Sequence, residues 1–560
     1  MAALIVKDQK AVTGGGGELQ YIRRTQIDFG KTDAKSALVT RDEASRRLFL
    51  EAFAPPQPAD IDAIRNGDRF LFYGTKGSGK TALLRYVMEL ENQAGNVTRV
   101  IVFSEDISQQ EKAKIAKPLN YETVSIPGLE EEPEVRDMWK LFLIQKISAL
   151  LCEEPRLFDE TAEARKINEI ISKVFELNNL STLQRILAGI KSGTLSLKGR
   201  AGGIAEIEST VNWERIEKGE EVDYSRFTQL VIEKICTITY PKDVKFILYL
   251  DEINLSMLGV KQHKKDSILI RDLIITVGNL NRVFVEKGVP IYVYAAVRVE
   301  IAKAVSISRQ EIDKYLVDHG YKLQWYGRYS VDKYPINTII ENRIRALEHN
   351  IAGRSNSPED IWRNYFSRDV YGVTPKRFIS EITWCNPRDV VNLFNLTSRS
   401  EIHISTYNTS VFSSIIEEYS QIAWHERAEE LNAEHNMAVV QVMKKCLNAW
   451  LKHFKVDQFS NHLTALAQGN SGVMQVKQTI GAERICRDLY YVGVLGQSVP
   501  AGTYTTQTGQ VRRQVNETWF YRDNREFEAS QWMIVHRALY PALKLSRLRE
   551  DDFGNDPRFA

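Results

Sequence analysis

The run Gly74, Thr75, Lys76, Gly77, Ser78, Gly79, Lys80 and Thr81 constrains this chain more than any other feature. It satisfies the spacing G-x-x-x-x-G-K-[ST] at every fixed position. Its flanks are the ones such a loop needs: the aromatic-rich run Arg69 to Tyr73 reads as a buried strand, and Ala82 to Glu91 are helix formers. A second apolar run, Arg99 to Phe103, completes a strand, loop, helix, strand unit. Glycines at these positions let the backbone wrap an anion, with amides pointing inward as donors and the positive end of the following helix facing the ligand. The motif predicts a cradle for the phosphates of a nucleoside triphosphate, ATP with Mg2+ being the expected ligand. Lys80 would reach the terminal phosphates and the Thr81 hydroxyl would hold the magnesium. A glycine-rich turn that matches by coincidence is the alternative, and the flanking strand and helix argue against it.

The other candidate residues sit at the ends of further strands and helices. Phe246 to Leu250 is a buried-strand run followed at once by Asp251 and Glu252, an acidic pair delivered to the sheet edge where ligands bind in open α/β folds. Asp251 would hold magnesium and Glu252 would polarise an attacking water, although a strand followed by two carboxylates also describes a solvated turn. A helix from Ile268 to Glu286 leads to a third strand, Ile291 to Val297, that ends at Arg298. Its guanidinium offers fixed donors to a terminal phosphate, or it simply caps a strand at the surface. Asn386, Pro387, Arg388 and Asp389 precede an apolar helix from Val390 to Leu396. Arg388, in its first turn, is a candidate to report on the nucleotide; a salt bridge with Asp389 or a neighbour is the competing reading.

At 560 residues the chain exceeds what one core organises, so several domains are expected. Residues 1–28, with a run of four glycines, read as a flexible lead-in. Residues 29–305 read as the nucleotide core, with a mostly helical insertion at about 130–240 in which 193–211 suggests a hairpin. Residues 306–430 read as a helical lid. In 431–560, a helix at 478–489, two strands at 504–508 and 517–521 and a last helix at 530–545 give the order of a winged-helix domain. Arg512 and Arg513 in the supposed wing, with Arg522 and Arg525 nearby, offer phosphate contacts to DNA, while Trp519, Phe520, Tyr521 and Trp532 serve equally as core aromatics. A net charge of +2, from 74 basic and 72 acidic residues, gives the whole molecule no bias toward nucleic acid. The five scattered cysteines read as thiols of a reduced compartment, and the nine histidines show no metal-ligand spacing. With no signal peptide and no long apolar run, the expected location is cytoplasmic.

GTKGSGKT, FILYLDE, YVYAAVR and the NPRD stretch together resemble the AAA+ and STAND branch of P-loop ATPases. Phe29, Gly30, Asp33 and Ala34, the Trp325 to Arg343 region and the tail from Trp519 to Leu543 resemble, more closely, a bacterial ATPase family often found near mobile-element or phage-defence genes. The resemblance implies an α/β fold with a parallel-sheet P-loop NTPase core, helices on both faces, a helical lid and a C-terminal winged-helix-like domain. It implies a nucleotide-controlled switch with ATPase activity, a homo-oligomer or a separate effector as partner, and no membrane. A DNA-handling loader or initiator is the alternative. In AAA+-like relatives a neighbouring subunit's arginine completes the site; Arg343 and Arg345 are loose candidates for that role.

Overall fold

The computed structural model describes residues 22–35, 42–103, 136–153, 224–253, 260–298, 311–327, 330–353, 355–400, 404–432, 434–505, 511–523 and 525–548. Five strands, β1 (Leu71–Gly74), β2 (Val97–Val102), β3 (Phe246–Asp251), β4 (Ile291–Arg298) and β5 (Gly320–Lys322), form a sheet in the order β2-β3-β4-β1-β5. Every pairing is parallel. Parallel sheets are covered on their faces, so their strands read as unbroken apolar runs. Accordingly every residue of β3 is buried. The helices Lys80–Gln93, Arg136–Leu151, Tyr224–Ile235 and Val260–Glu286 surround the sheet, and one apolar core runs from Ile64 to Leu323. The class is α/β.

The strand order positions the candidate residues. β4 lies between β1 and β3, pairing Gly74 with Arg298 on one side and Leu250 with Ala295 on the other. The start of the glycine loop, the tip arginine and the acidic pair therefore emerge at one edge of the sheet.

A second apolar core takes in Ile22, Ile27 and Phe29, then residues from Trp325 to Leu548. The helical region and the C-terminal region thus share a core. Its C-terminal part carries the helices Val456–Ala467, Ser471–Thr479 and Ala482–Tyr491. These accompany an antiparallel sheet of β6 (His453–Phe454), β7 (Leu495–Thr505), β8 (Val511–Thr518) and β9 (Trp532–Val535), in the order β6-β9-β7-β8. Among the described residues no helix is long and apolar enough to cross a membrane.

Several expectations need correction. Gly320–Lys322, expected within a helical stretch, is the fifth strand; at three residues it is too short to show alternation. The expected helix at 530–545 is instead β9 followed by a 3-10 turn, Arg537–Leu539. β9 is flanked by β6 and β7, so Met533, Ile534 and Val535 are all buried, and a short, wholly apolar run does not distinguish strand from helix. The two hairpin strands lie at 495–505 and 511–518 rather than 504–508 and 517–521, with Arg512 opposite Tyr504 and Arg513 opposite Thr503. The helix expected at 478–489 is two helices separated at Gly481, whose φ of 81° suits glycine. The helix expected from 268 begins at Val260. The hairpin expected at 193–211 lies outside the described residues.

The lead-in also departs from expectation where it is described. Ile22, Arg24 and Ile27 are buried. Arg24 donates to the carbonyls of Thr397 and Ile404, and Phe29 stacks on Phe394 with ring centroids 4.4 Å apart. Phe394 also faces Tyr407 at 5.0 Å and is itself fully buried. Phe394→Ala should therefore lower stability by about 3–5 kcal/mol, read as a lower urea midpoint. A loss below about 1 kcal/mol would show that this ring is not what anchors residues 22–29.

Candidate nucleotide-binding site

The glycine loop leaves β1 at Gly74 and enters the helix beginning at Lys80. Gly77 and Gly79 have φ of 78° and 90°, in the left-handed region that side chains avoid. Gly77 is required a second time, because a Cβ there would lie 2.6 Å from the Asn386 Oδ1.

The loop is gripped from outside at three successive carbonyls. Asn386 Nδ2 donates to the carbonyl of Lys76 at 2.7 Å, the Arg388 backbone N–H to that of Gly77 at 3.4 Å, and Trp325 Nε1 to that of Ser78 at 2.7 Å. Peptide units here are trans, so a carbonyl held outward turns the following N–H the other way. The amides of Gly77 and Gly79 consequently face the inside of the loop. Lys80 Nζ donates to the carbonyls of Gly74 and Thr75, at 2.9 and 2.8 Å.

Asp251, at the end of β3, comes within reach of this helix. Thr81 Oγ1 donates to its Oδ1 at 3.2 Å, and the Glu252 N–H donates to the same oxygen at 2.8 Å. Oδ2 is buried without a hydrogen-bond partner. Burial pushes the carboxyl pKa up, opposed by the bonds from Glu252 N–H and Thr81. Glu252 follows with a φ of 50°, an uncommon conformation for a residue with a side chain, and its Oε2 pairs with Lys35 Nζ at 2.8 Å.

Arg388 extends from the helix Pro387–Arg399, whose first turn is capped by Asn386. Its Nη1 lies 3.3 Å from Glu426, so the anticipated salt bridge exists, but with Glu426 rather than Asp389. Asp389 pairs with Arg427 at 2.8 Å, and both are buried. Burial works against the Arg427 charge, while Asp389 and Glu430 hold it protonated.

These groups open onto a cavity of about 450 Å³. Its lining combines polar groups, among them Lys76, Lys80, Thr81, Asp251, Glu252, Arg298 and Arg388, with the apolar side chains of Phe29, Phe49, Phe53, Pro56, Ile339 and Val391.

Of the predicted loop, Lys76, Gly77, Gly79, Lys80 and Thr81 line this cavity together with Asp251, Glu252, Arg298 and Arg388, whereas Gly74, Thr75 and Ser78 line a separate, smaller pocket with Asn386 and Trp384. Arg343 lines the same cavity from the helix Ile336–Ala352 and donates to the Asp28 carbonyl at 2.5 Å, which places it on the wall of its own chain's cavity. Arg345 on the same helix is exposed. Lys35 and Glu426, ordinary charged residues in the sequence, had no signal there, since Lys35 meets Glu252 and Glu426 meets Lys76 across more than 200 positions. His435 likewise lacked any metal spacing, yet the fold brings it together with Glu434 and Asp488, their ligand atoms within 4.8 Å. Asp488 is already engaged there by His435 at 2.8 Å and approached by Arg484 at 3.7 Å. All five cysteines are free thiols.

The chain matches no protein-family model, and none of the curated proteins compared with it matches.

Asn386→Ala removes both the helix cap and the bond to the Lys76 carbonyl. It should cost about 1–3 kcal/mol, measured as a drop in urea midpoint. An unchanged midpoint would mean the loop is not held from this side.

Proposed function

We propose that the chain is an ATP-binding and ATP-hydrolysing molecular switch with an AAA+/STAND-like P-loop. One observation carries this reading: beneath the glycine loop, Thr81 and Asp251 share a hydrogen bond while the second Asp251 oxygen is buried with no protein partner. Buried carboxylate oxygens are costly unless paired or bound to a cation. A hydroxyl beside a carboxylate is the oxygen donor set that Mg2+ prefers, so Thr81 and Asp251 fit as its holders. When bound, the ion would neutralise phosphate charge.

The remaining roles follow from the chain's own groups. The loop amides and Lys80 bind the phosphates, and the aromatic and aliphatic side chains of the cavity wall take the base. Glu252 orients a water and accepts its proton as the water oxygen bonds the terminal phosphorus and the bond to the bridging oxygen breaks. Arg298, opposite Gly74 in the sheet, and Arg388, beside Gly77, are the groups that sense the terminal phosphate. A switch also needs a part that responds. We assign that part to the helical region, as a lid, and to the C-terminal helices and β7–β8 hairpin, read as a winged-helix-like domain. A second copy or a separate effector is the partner that the sequence resemblance suggests.

The test is equilibrium binding of ATP with and without Mg2+, alongside phosphate release. Lys80→Ala should abolish tight binding. Glu252→Gln should bind ATP yet release phosphate at least about 100-fold more slowly. Unimpaired binding by the Lys80 variant would refute the reading, and normal turnover by the Glu252 variant would refute the role given to that carboxylate.

A further inference from the structure

One carboxylate outside the cavity holds two of the cations that line it. Glu426 Oε2, on the helix Thr409–Leu431, is 3.1 Å from Lys76 Nζ and 3.3 Å from Arg388 Nη1. Lys76 and Arg388 both line the cavity, and Glu426 stands behind them. Burial raises the pKa of Glu426, but Lys76 and Arg388 outweigh it and the net shift is downward, so the carboxylate stays charged. Glu429, one turn further along, also meets Lys76, at 2.8 Å, but its side chain is 70% exposed.

A bound polyphosphate would want the same cations. Arginine offers a limited set of directed donors, and those engaged by a carboxylate are closed to a phosphate. We propose that Glu426 is a specificity-determining residue: an internal competitor of the terminal phosphate for Arg388, displaced by a nucleoside triphosphate and left in place by a diphosphate. This rests on the nucleotide reading above and adds to it. The carboxylate lowers the apparent affinity for the triphosphate by the free energy of the Arg388 contact it must give up, and leaves the diphosphate nearly untouched.

The exchange also has a mechanical address. Glu426 precedes Arg427, which stays paired with Asp389, the neighbour of Arg388. The helix Thr409–Leu431 therefore remains tied to the helix Pro387–Arg399 while one contact between them changes hands. That helix also reaches the C-terminal region, where the Ser420 hydroxyl accepts from the Ala542 N–H at 2.9 Å.

The experiment is calorimetric titration of the full chain with Mg2+ and either ADP or the β,γ-imido analogue of ATP. Relative to the unaltered chain, Glu426→Gln should favour the triphosphate over the diphosphate by at least about fivefold. This is a modest share of a charge-assisted bond, as befits a pair that is partly exposed. Glu429→Gln should leave the ratio within about twofold, because a solvated pair contributes little. Adding Arg388→Ala to Glu426→Gln should erase the gain. A ratio unmoved by Glu426→Gln, or a gain that survives removal of Arg388, overturns the proposal while the nucleotide reading stands. If the unaltered chain binds neither nucleotide, the reading falls and takes the proposal with it. Thermal melting of each variant separates lost affinity from lost folding.

Discussion

The arrangement at the sheet edge depends on which way three peptide groups point. A loop that is to receive an anion must keep its N–H groups inward, and a glycine-rich segment has the freedom to turn them elsewhere. Here the outward carbonyls of Lys76, Gly77 and Ser78 are each taken by a donor from the second core: Asn386, the Arg388 backbone and Trp325. Glycine supplies the permission and the second core removes the choice. The parallel sheet does the complementary task, because inserting β4 between β1 and β3 sets Arg298 between the loop and the acidic pair.

Electrostatics at the same edge show how much of the site is already committed within the chain. Lys80 rests on loop carbonyls, Glu252 on Lys35, Arg388 on Glu426, and Asp251 on Thr81 through one oxygen only. Each of these is a partner that a ligand would have to replace. Affinity is then the surplus of the bonds a ligand makes over the internal bonds it breaks, so residues behind the cavity weigh on it as directly as residues that line it. Lys35 precedes and Glu426 follows all five strands of the parallel sheet in the sequence.

The strongest features were legible from sequence because they are local. GTKGSGKT and FILYLDE carry their chemistry in consecutive residues, and the fold of the sheet followed from apolar runs separated by helical spacing. What escaped was either too short or too distant. β5 has three residues, and β9 is an apolar run whose neighbours decide its form. Lys35 and Glu426 are charges among many until the chain closes on itself. The packing of Ile22, Arg24 and Phe29 against the second core was hidden by the polar, glycine-rich sequence that precedes them.

Just before Asn386, Trp384 and Cys385 have φ of 51° and 50°, two consecutive side-chain-bearing residues in left-handed backbone. Such residues persist only where their surroundings compel them, at a cost on the order of 1–3 kcal/mol each. The compulsion comes from the C-terminal region: the Trp384 indole lies flat on His536 with centroids 3.6 Å apart and donates to the carbonyl of Gly493 at 2.8 Å. The turn is thus held from the C-terminal sheet region, and the residue that follows it, Asn386, grips the glycine loop. Geometry at the glycine loop is in this way underwritten by groups more than a hundred positions downstream of that turn.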